Sequence, residues 1–248
     1  MPGAGEADAA GWKRLAAERA AEMVRPGMVV GLGTGSTAAF AVAALGRALA
    51  GGRLPGIRGV PTSRRTEELA RAEGIPLVCL DDVGTVDLTI DGADEVDPAL
   101  DLIKGGGGAL LREKIVASAS RRNVVVADES KLVDRLGRRC ALPVEVAAFG
   151  WTGHVAALER LGARVEPRLG PGGEPFVTAE GHRILDCRFP DGISDPPALE
   201  AQLRSRPGVV ETGLFLGLTD VVVVAGASGL RVLERRHGRG RDEGTAPR

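Results

Sequence analysis

The stretch Met28–Leu49, MVVGLGTGSTAAFAVAALGRAL, decides the fold of this chain. It opens with the apolar run Met28–Leu32, turns through a glycine-rich segment, and continues as the apolar segment Ala38–Leu49. A short apolar run bounded by glycine is typical of a strand that is buried on both faces. The order of strand, tight turn and helix predicts the first unit of an α/β fold with a mostly parallel sheet.

The same alternation continues to about residue 135. Apolar, strand-like runs occur at 57–60, 86–90 and 123–127, and segments with helical patterns separate them. Unbroken apolar strands between helices indicate a sheet that helices cover on both faces. The sequence therefore predicts a Rossmann-like main domain.

From residue 136 the pattern changes to short strands, turns and two helices, which predicts a small α+β domain over residues 136–208. Apolar runs then resume, so we expect the chain to return to the large sheet, and residues 1–135 and 209–234 to form one domain. The last residues, 235–248, lack apolar periodicity and are predicted to form a disordered tail.

Composition limits the partners of this chain. It has 248 residues, 44% of them hydrophobic, and a net charge of -1, which argues against nucleic-acid binding through a basic face and gives no reason to expect a membrane partner. No apolar run approaches the ~20 residues of a membrane-spanning helix. The three cysteines and three histidines show no disulfide or metal-ligand spacing. With no secretory signal visible, we expect a cytoplasmic protein with reduced thiols and no metal.

The first group that carries chemistry is the glycine-rich turn, GLGTGST at 31–37. Backbone N–H groups converge where a helix begins, and Thr34, Ser36 and Thr37 add hydroxyl donors around Gly35, which suits a phosphate. The spacing does not fit a dinucleotide fingerprint, because Ser36 stands where the third glycine is needed. A tight turn with a helix cap is the alternative interpretation.

The second group is Asp91-Gly92-Ala93-Asp94, which follows the apolar run at 86–90. The carboxyl ends of parallel strands are where open α/β sheets bind their ligands. Two carboxylates at this position are suited to bind sugar hydroxyls or to share a proton. Asp and Gly also form ordinary turns, and that alternative stays open on this motif alone.

The third group joins Lys104 and the glycines 105–108 to Glu113, nine residues after the lysine. Four consecutive glycines are entropically costly, which favours a functional loop over a plain connection. Glu113 lies near the start of a predicted helix, a rigid mount for a base, and Lys114 beside it is expected at the surface. A fourth candidate, Lys131, follows the strand at 123–127 and reaches the same predicted sheet edge.

These motifs, in their order and spacing, resemble ribose-5-phosphate isomerase of the A type. The resemblance covers about residues 13–234 and is carried by GLGTGSTA, VPTS, DGADEVD, LIKGGGGALLREKIVA, VVVADESKLV and LPVEV. It implies interconversion of D-ribose 5-phosphate and D-ribulose 5-phosphate through an enediol(ate), without a cofactor. It also implies a ferredoxin-like small domain inserted in a Rossmann-like one, and a homodimer or homotetramer.

Matching motif positions imply that Glu113 is the general base. The residues implied to bind substrate are Thr34, Gly35, Ser36, Thr37, Asp91, Gly92, Ala93, Asp94, Lys104, Gly105, Gly106, Gly107 and Lys131. Lys13, on the N-terminal helix, receives only weak support from the sequence as a further phosphate ligand.

Two other functions fit parts of the pattern. A nicotinamide-dependent dehydrogenase would use the same fold, but the glycine spacing and the lack of an acidic residue after the strand at 57–60 count against it. A sugar-phosphate sensor would need the same ligands without a base at Glu113. NAD titration discriminates the first alternative, and turnover discriminates the second.

Overall fold

The structure is a computed structural model, and it describes residues 4–235. Residues 236–248, which make up nearly all of the predicted tail, lie outside the described residues. The helices are α1 (Ala4–Ala21), α2 (Ser36–Ala50), α3 (Arg64–Ala72), α4 (Leu80–Val83), α5 (Leu110–Ser118), α6 (Val155–Glu159) and α7 (Pro196–Arg204). Short 3₁₀ turns occur at Glu129–Lys131 and Trp151–His154.

Thirteen strands form three sheets within the described residues. The strands are β1 (Val29–Leu32), β2 (Arg58–Pro61), β3 (Leu88–Gly92), β4 (Glu95–Val96), β5 (Leu102–Ile103), β6 (Asn123–Asp128), β7 (Leu142–Val146), β8 (Arg164–Pro167), β9 (Arg183–Arg188), β10 (Val209–Thr212), β11 (Leu214–Phe215), β12 (Val221–Gly226) and β13 (Gly229–Glu234).

The largest sheet has six strands in the order β13-β12-β6-β3-β1-β2, and all neighbours are parallel except β12 and β13. Its central strands β1, β6 and β12 are buried along their whole length, as their β-branched apolar runs predict. The α/β prediction is confirmed. The chain moves from β1 to β2 on one side and then to β3 on the other, which creates a topological switch point between β1 and β3.

Alanines let helix α1 pack closely on this sheet. Ala16, Ala17 and Ala20 are fully buried and join the core cluster that includes residues of α2, β6 and β12. Small side chains permit a short distance between the helix and its neighbours, so the exposed side of α1 lies near the start of α2. Lys13 of α1 is thereby brought to the switch point.

The second unit has the ferredoxin-like order of elements, β7-α6-β8-β9-α7-β10, with an antiparallel sheet ordered β10-β7-β9-β8. Its own apolar core includes Val144, Leu158, Leu185 and Leu203. We expected the run from 209 to return to the large sheet, but β10 pairs with β7 here and completes the small unit. Apolar character predicts a strand without saying which sheet it joins, and the return occurs at β12.

A short three-stranded sheet, β11-β5-β4, connects the two larger ones. It positions the start of the glycine loop, because Lys104 directly follows β5 and its N–H donates to the carbonyl of Gly213, 2.9 Å away. None of the described helices combines the length and the apolar character that crossing a membrane requires.

Candidate active site

The ends of several elements line one cleft at the switch point of the six-stranded sheet. The turn after β1, the end of β3, the glycine loop, helix α5 and the 3₁₀ turn after β6 all reach it. Its lining consists of Lys13, Thr34, Gly35, Ser36, Thr37, Gly92, Ala93, Asp94, Lys104, Gly105, Gly106, Gly107, Glu113 and Lys131.

Helix α2 presents an open N-terminus to this cleft. Gly35 precedes the helix with φ 117° and ψ 172°, and no side chain caps the helix. That backbone region is accessible almost only to glycine. The N–H groups of the first turn have no partner inside a helix, so they are available to an anion, and the helix dipole favours negative charge there. The ammonium of Lys13 lies 3.4 Å from Ser36 Oγ at the same end.

A cluster of hydroxyls fixes the turn before α2. Thr34 Oγ1 lies 2.8 Å from both Thr62 Oγ1 and Ser63 Oγ, and 3.1 Å from Thr66 Oγ1. Thr66 Oγ1 in turn donates to the carbonyl of Gly33 over 3.0 Å. The Thr34 side chain therefore anchors the turn to the loop after β2, while the start of α2 carries the open N–H groups.

Three ionisable groups are buried together at the other end of the cleft. Lys104 Nζ lies 3.0 Å from Asp91 Oδ2 and 3.4 Å from Glu113 Oε2, and each of these side chains is at most 7% exposed. Lys104 also donates to the carbonyl of Gly92 over 2.5 Å. Glu113 Oε2 accepts no hydrogen bond within the described part of the chain, although it lies within ion-pair range of the lysine.

The surroundings separate these groups by their affinity for a proton. Burial raises the pKa of Glu113 to about 8, with Lys104 opposing the rise and Asp91 adding to it. Burial alone would lower the pKa of Lys104, but Asp91 and Glu113 outweigh it and raise that pKa, so Lys104 stays charged. Burial raises the pKa of Asp91 as well, with Lys104 and the N–H groups of Gly92 and Thr34 opposing the rise. Glu113 combines a pKa of about 8 with a place in the cleft lining, so it can exchange a proton with a ligand near neutral pH.

Asp94 and the glycine loop are in direct contact in the wall of the cleft. Asp94 Oδ2 accepts the N–H of Gly106 over 2.8 Å, and a side chain at Gly106 would place its Cβ 3.0 Å from Asp94 Oδ1. Gly105 has φ 106°, a conformation that L side chains rarely adopt. The loop therefore depends on glycine both for its conformation and for its approach to the carboxylate.

The predicted site residues come together at this cleft, and Asp91 differs in its placement. Asp91 lies behind the lining, where it accepts the N–H groups of Thr34 and Gly92 and binds Lys104. Lys114 was expected at the surface, but it is buried and donates to Glu211 Oε1 over 2.7 Å, because α5 packs between the large sheet and β10.

Sequence reasoning missed several residues around the cleft. The hydroxyls of Thr62, Ser63 and Thr66 hold Thr34, and Arg168 contacts the glycine loop from the small unit. The VPTS motif is the sequence signal that could have indicated the first two of these. A lone arginine after a short strand gives no such signal.

Together, the fold and the cleft define a class of protein: an α/β enzyme that transfers protons on a small anionic substrate. The features that define it are a buried carboxylate of raised pKa, a fixed ammonium and an open helix N-terminus. Residues 58–229 match the family model of ribose 5-phosphate isomerase A (phosphoriboisomerase A).

Individual relatives agree with this match. The ribose-5-phosphate isomerase A of Chloroflexus aurantiacus is 54% identical over 88% of this chain and 91% of its own length. A solved D-ribose-5-phosphate isomerase in complex with phospho-erythronic acid is 41% identical, with a TM-score of 0.87 over 90% of this chain and 97% of its own. The ribose 5-phosphate isomerase of Plasmodium falciparum is 36% identical, with a TM-score of 0.89 over 92% of this chain and 100% of its own. This chain belongs to the ribose 5-phosphate isomerase A family.

Proposed function

We propose that Glu113 carries the proton transfer by which this isomerase interconverts D-ribose 5-phosphate and D-ribulose 5-phosphate, a step of the non-oxidative pentose phosphate pathway. The observation that supports this role is the Oε2 atom of Glu113, which is buried, accepts no hydrogen bond from the described residues and belongs to a residue lining the cleft. A carboxylate with a pKa of about 8 is well matched to taking up a carbon-bound proton and returning it.

The reaction moves two protons and no other atoms. In the open-chain aldose, Glu113 removes the proton from C2, the C1=C2 double bond forms, and the electron pair of the carbonyl moves to O1. Glu113 then delivers the proton to C1, the hydroxyl proton of O2 is transferred to O1, and the ketone forms at C2. The intermediate is an enediol(ate), and one carboxylate that serves both carbons is sufficient.

The negative charge that develops on O1 needs a positive or N–H-rich neighbour. Lys104 is held charged beside Glu113, and the glycine loop supplies backbone N–H groups on the same cleft. Groups fixed in place before the reaction stabilise a developing oxyanion without reorganising, which is often the largest contribution to catalysis. We assign this role to Lys104 and to the loop at 105–107.

The phosphate is assigned to the start of helix α2. The open N–H groups of the first turn, the hydroxyl of Ser36 and the ammonium of Lys13 lie together on the cleft, and Lys131 also lines it. Binding the phosphate there would hold C1 and C2 against Glu113 at the other end, so binding energy from a remote group serves the reacting carbons. A relative solved with phospho-erythronic acid supports a phosphorylated sugar ligand.

The two aspartates receive different roles. Asp94 lines the cleft and is suited to bind sugar hydroxyls and to assist opening of the furanose ring. Asp91 lies behind the lining and acts on the site through Lys104 and the backbone of Thr34 and Gly92.

A coupled assay with ribose 5-phosphate tests this function, with purified protein measured before and after incubation with a chelator. We expect turnover under both conditions, since the proposed chemistry uses only side chains and backbone N–H groups. The absence of turnover in untreated protein would contradict the function, and loss of turnover on chelation would contradict the metal-free mechanism. Ribose without a phosphate serves as the control substrate and should react poorly.

We further propose that the enzyme acts in the cytoplasm as a homodimer or homotetramer. Apolar side chains on the antiparallel edge strand β13, Leu230 at 36% and Val232 at 39% exposure, support burial of this edge by a second copy. Light scattering coupled to size-exclusion chromatography tests the assembly, and a monomer at micromolar concentration would contradict it. Fractionation of cells that express the chain tests the location.

A further inference from the structure

Arg168, which directly follows β8 in the small unit, contacts the glycine loop of the active site. Its Nη1 atom donates to the carbonyl of Gly105 over 2.7 Å and to the carbonyl of Gly106 over 3.2 Å. The sequence motifs do not include this arginine, and it does not line the cleft. It nevertheless connects the ferredoxin-like unit to the catalytic loop.

The arginine is itself held in one geometry. Its Nε and Nη2 atoms donate to the two carboxylate oxygens of Asp186 on β9, over 2.9 and 2.5 Å. Its backbone is also fixed, because its N–H donates to the carbonyl of Ile184 and its carbonyl accepts from Phe176. A bidentate pair of guanidinium and carboxylate has a defined direction, so the remaining nitrogen is aimed at the loop.

The position of the two carbonyls decides where two N–H groups point. In a planar trans peptide, the N–H of one residue points opposite to the C=O of the residue before it. Because the carbonyl of Gly105 accepts a hydrogen bond from Arg168, the N–H of Gly106 points away from the arginine and donates to Asp94. Because the carbonyl of Gly106 also accepts from Arg168, the N–H of Gly107 likewise points away from the small unit.

Gly107 lines the cleft, and its N–H donates to no acceptor among the described residues. It is therefore free to bind a substrate oxygen. Consecutive glycines can rotate their peptide groups at little steric cost, so a loop of this composition needs hydrogen bonds to keep one orientation. The N–H of Gly108 donates to the carbonyl of Gly105 over 3.0 Å, but among the described residues only Arg168 constrains the carbonyl of Gly106. The side chain of Arg168 supplies that constraint through hydrogen bonds to two successive carbonyls.

We propose that Arg168 is a positioning residue for the isomerase reaction, which orients the glycine loop so that the N–H of Gly107 stabilises the oxyanion of the intermediate. This inference rests on the proposed function and deepens it by making the small unit part of the catalytic machinery. Asp186 supports the arginine and acts one step further from the substrate.

The test compares Arg168→Ala with Arg164→Ala. Arg164 is an exposed arginine on β8, the strand that Arg168 directly follows. Loss of an aligned oxyanion donor lowers kcat, so we expect Arg168→Ala to lose about 10- to 100-fold in kcat with a much smaller change in KM. Arg164→Ala should keep the kcat of the original chain. Added guanidinium ion, at concentrations below those that unfold the protein, should restore part of the kcat of Arg168→Ala and have no such effect on Arg164→Ala.

Several outcomes would overturn the proposal while leaving the proposed function intact. Provided that the original enzyme is active, the proposal fails if Arg168→Ala keeps a kcat within two-fold of the original. It also fails if the substitution raises only KM, or if guanidinium ion does not restore kcat. If Arg168→Ala does not fold, Arg168→Lys decides the question. Arginine places Nε and Nη2 on Asp186 and Nη1 on the loop, a geometry that the single nitrogen of lysine does not reproduce. A folded lysine variant with full kcat would therefore contradict the assignment, and one with reduced kcat would support it.

Discussion

Asp91 and Glu113 are two buried carboxylates that both lie beside the ammonium of Lys104. They differ in the hydrogen bonds that they accept. Asp91 Oδ1 accepts backbone N–H groups over 3.0 and 2.7 Å, from Thr34 and Gly92. Glu113 Oε2 accepts none from the described residues. Burial raises the pKa of both carboxyls, but Lys104 and these two donors oppose the rise at Asp91. Glu113 lines the cleft whereas Asp91 lies behind the lining, so Glu113 is the carboxyl placed to exchange a proton with a ligand. A difference of surroundings thus assigns different roles to the same chemical group.

The variant Glu113→Gln tests that assignment. The amide has nearly the shape of the carboxylate but cannot take up the proton, so kcat should fall by about 10²- to 10⁴-fold. Binding of ribose 5-phosphate, measured by isothermal titration, should persist because the phosphate end of the cleft is unchanged. Glu159→Gln, on the exposed face of α6, is the matched control. A Glu113→Gln enzyme with near-normal kcat would contradict the mechanism.

The raised pKa of Glu113 also predicts the pH dependence of the reaction. The base must be deprotonated to act, and burial has moved its pKa up to about 8. Since kcat/KM reports the free enzyme, it should rise about tenfold per pH unit below that value and level off above it. The measurement is kcat/KM between pH 6 and 9.5 in buffers of constant ionic strength. A flat profile over this range would show that Glu113 is already ionised at pH 6.

The sequence could predict those residues of the site that lie within a recognisable motif. Glu113, Lys104 and the turn at 31–37 were predicted because their spacing ties them to the carboxyl ends of recognisable strands. Asp91 was grouped with the substrate ligands, since a motif gives position along the chain but not which way a side chain faces. Arg168 and Thr66 meet the site only through tertiary packing, which no local pattern encodes.

At the scale of elements, Gly35 at the start of helix α2 has both a structural and a binding role. The φ of 117° and ψ of 172° at Gly35 bring the chain into the helix without a capping side chain, which leaves the first-turn N–H groups open. A polar cap at this position would satisfy those groups and compete with an anion. The sequence favoured a phosphate site here because backbone N–H groups converge at the start of a helix and Thr34, Ser36 and Thr37 add hydroxyl donors.

The substitution Gly35→Ala should therefore affect stability and substrate binding together. An alanine in this backbone region costs about 1–3 kcal/mol, although nothing lies within 4 Å of the added Cβ. We expect a loss of that size in the free energy of unfolding in urea, and a higher KM for ribose 5-phosphate because the N–H groups shift.

The matched control for this substitution is Gly153→Ala, where space is also open and φ is not positive. It should change the free energy of unfolding by less than about 0.5 kcal/mol. Equal effects of the two substitutions would show that the backbone at Gly35 carries no special constraint.

The elements whose placement differed from expectation lie where the two units meet. Helix α5 was predicted correctly, but Lys114 is buried because the helix packs on β3 of the large sheet and on β10. Strand β10 itself was predicted as a strand and joins the small sheet. Periodicity indicates which residues are apolar, whereas the partner of an apolar face is decided by the assembly of the whole chain.

At the scale of the molecule, the cleft is built from segments far apart in the sequence, from Lys13 to Lys131, with the small unit bonded to its glycine loop through Arg168. The unfolded chain cannot assemble such a cleft, so ligand binding should stabilise the fold as a whole. A ligand at 100 times its Kd adds about 2.7 kcal/mol to the free energy of unfolding.

Thermal unfolding of Glu113→Gln with ribose 5-phosphate measures this coupling without turnover. For a chain of this size, 1 kcal/mol corresponds to about 2–4 °C in Tm, so saturation should raise Tm by about 5–10 °C. Ribose without phosphate should raise Tm far less, because the start of α2 and Lys13 then bind nothing. Since Arg168 couples the small unit to the loop, both units should shift in a single transition. An equal shift with ribose would contradict the assignment of the phosphate to α2, and a second, unshifted transition would show that the small unit unfolds independently of the site.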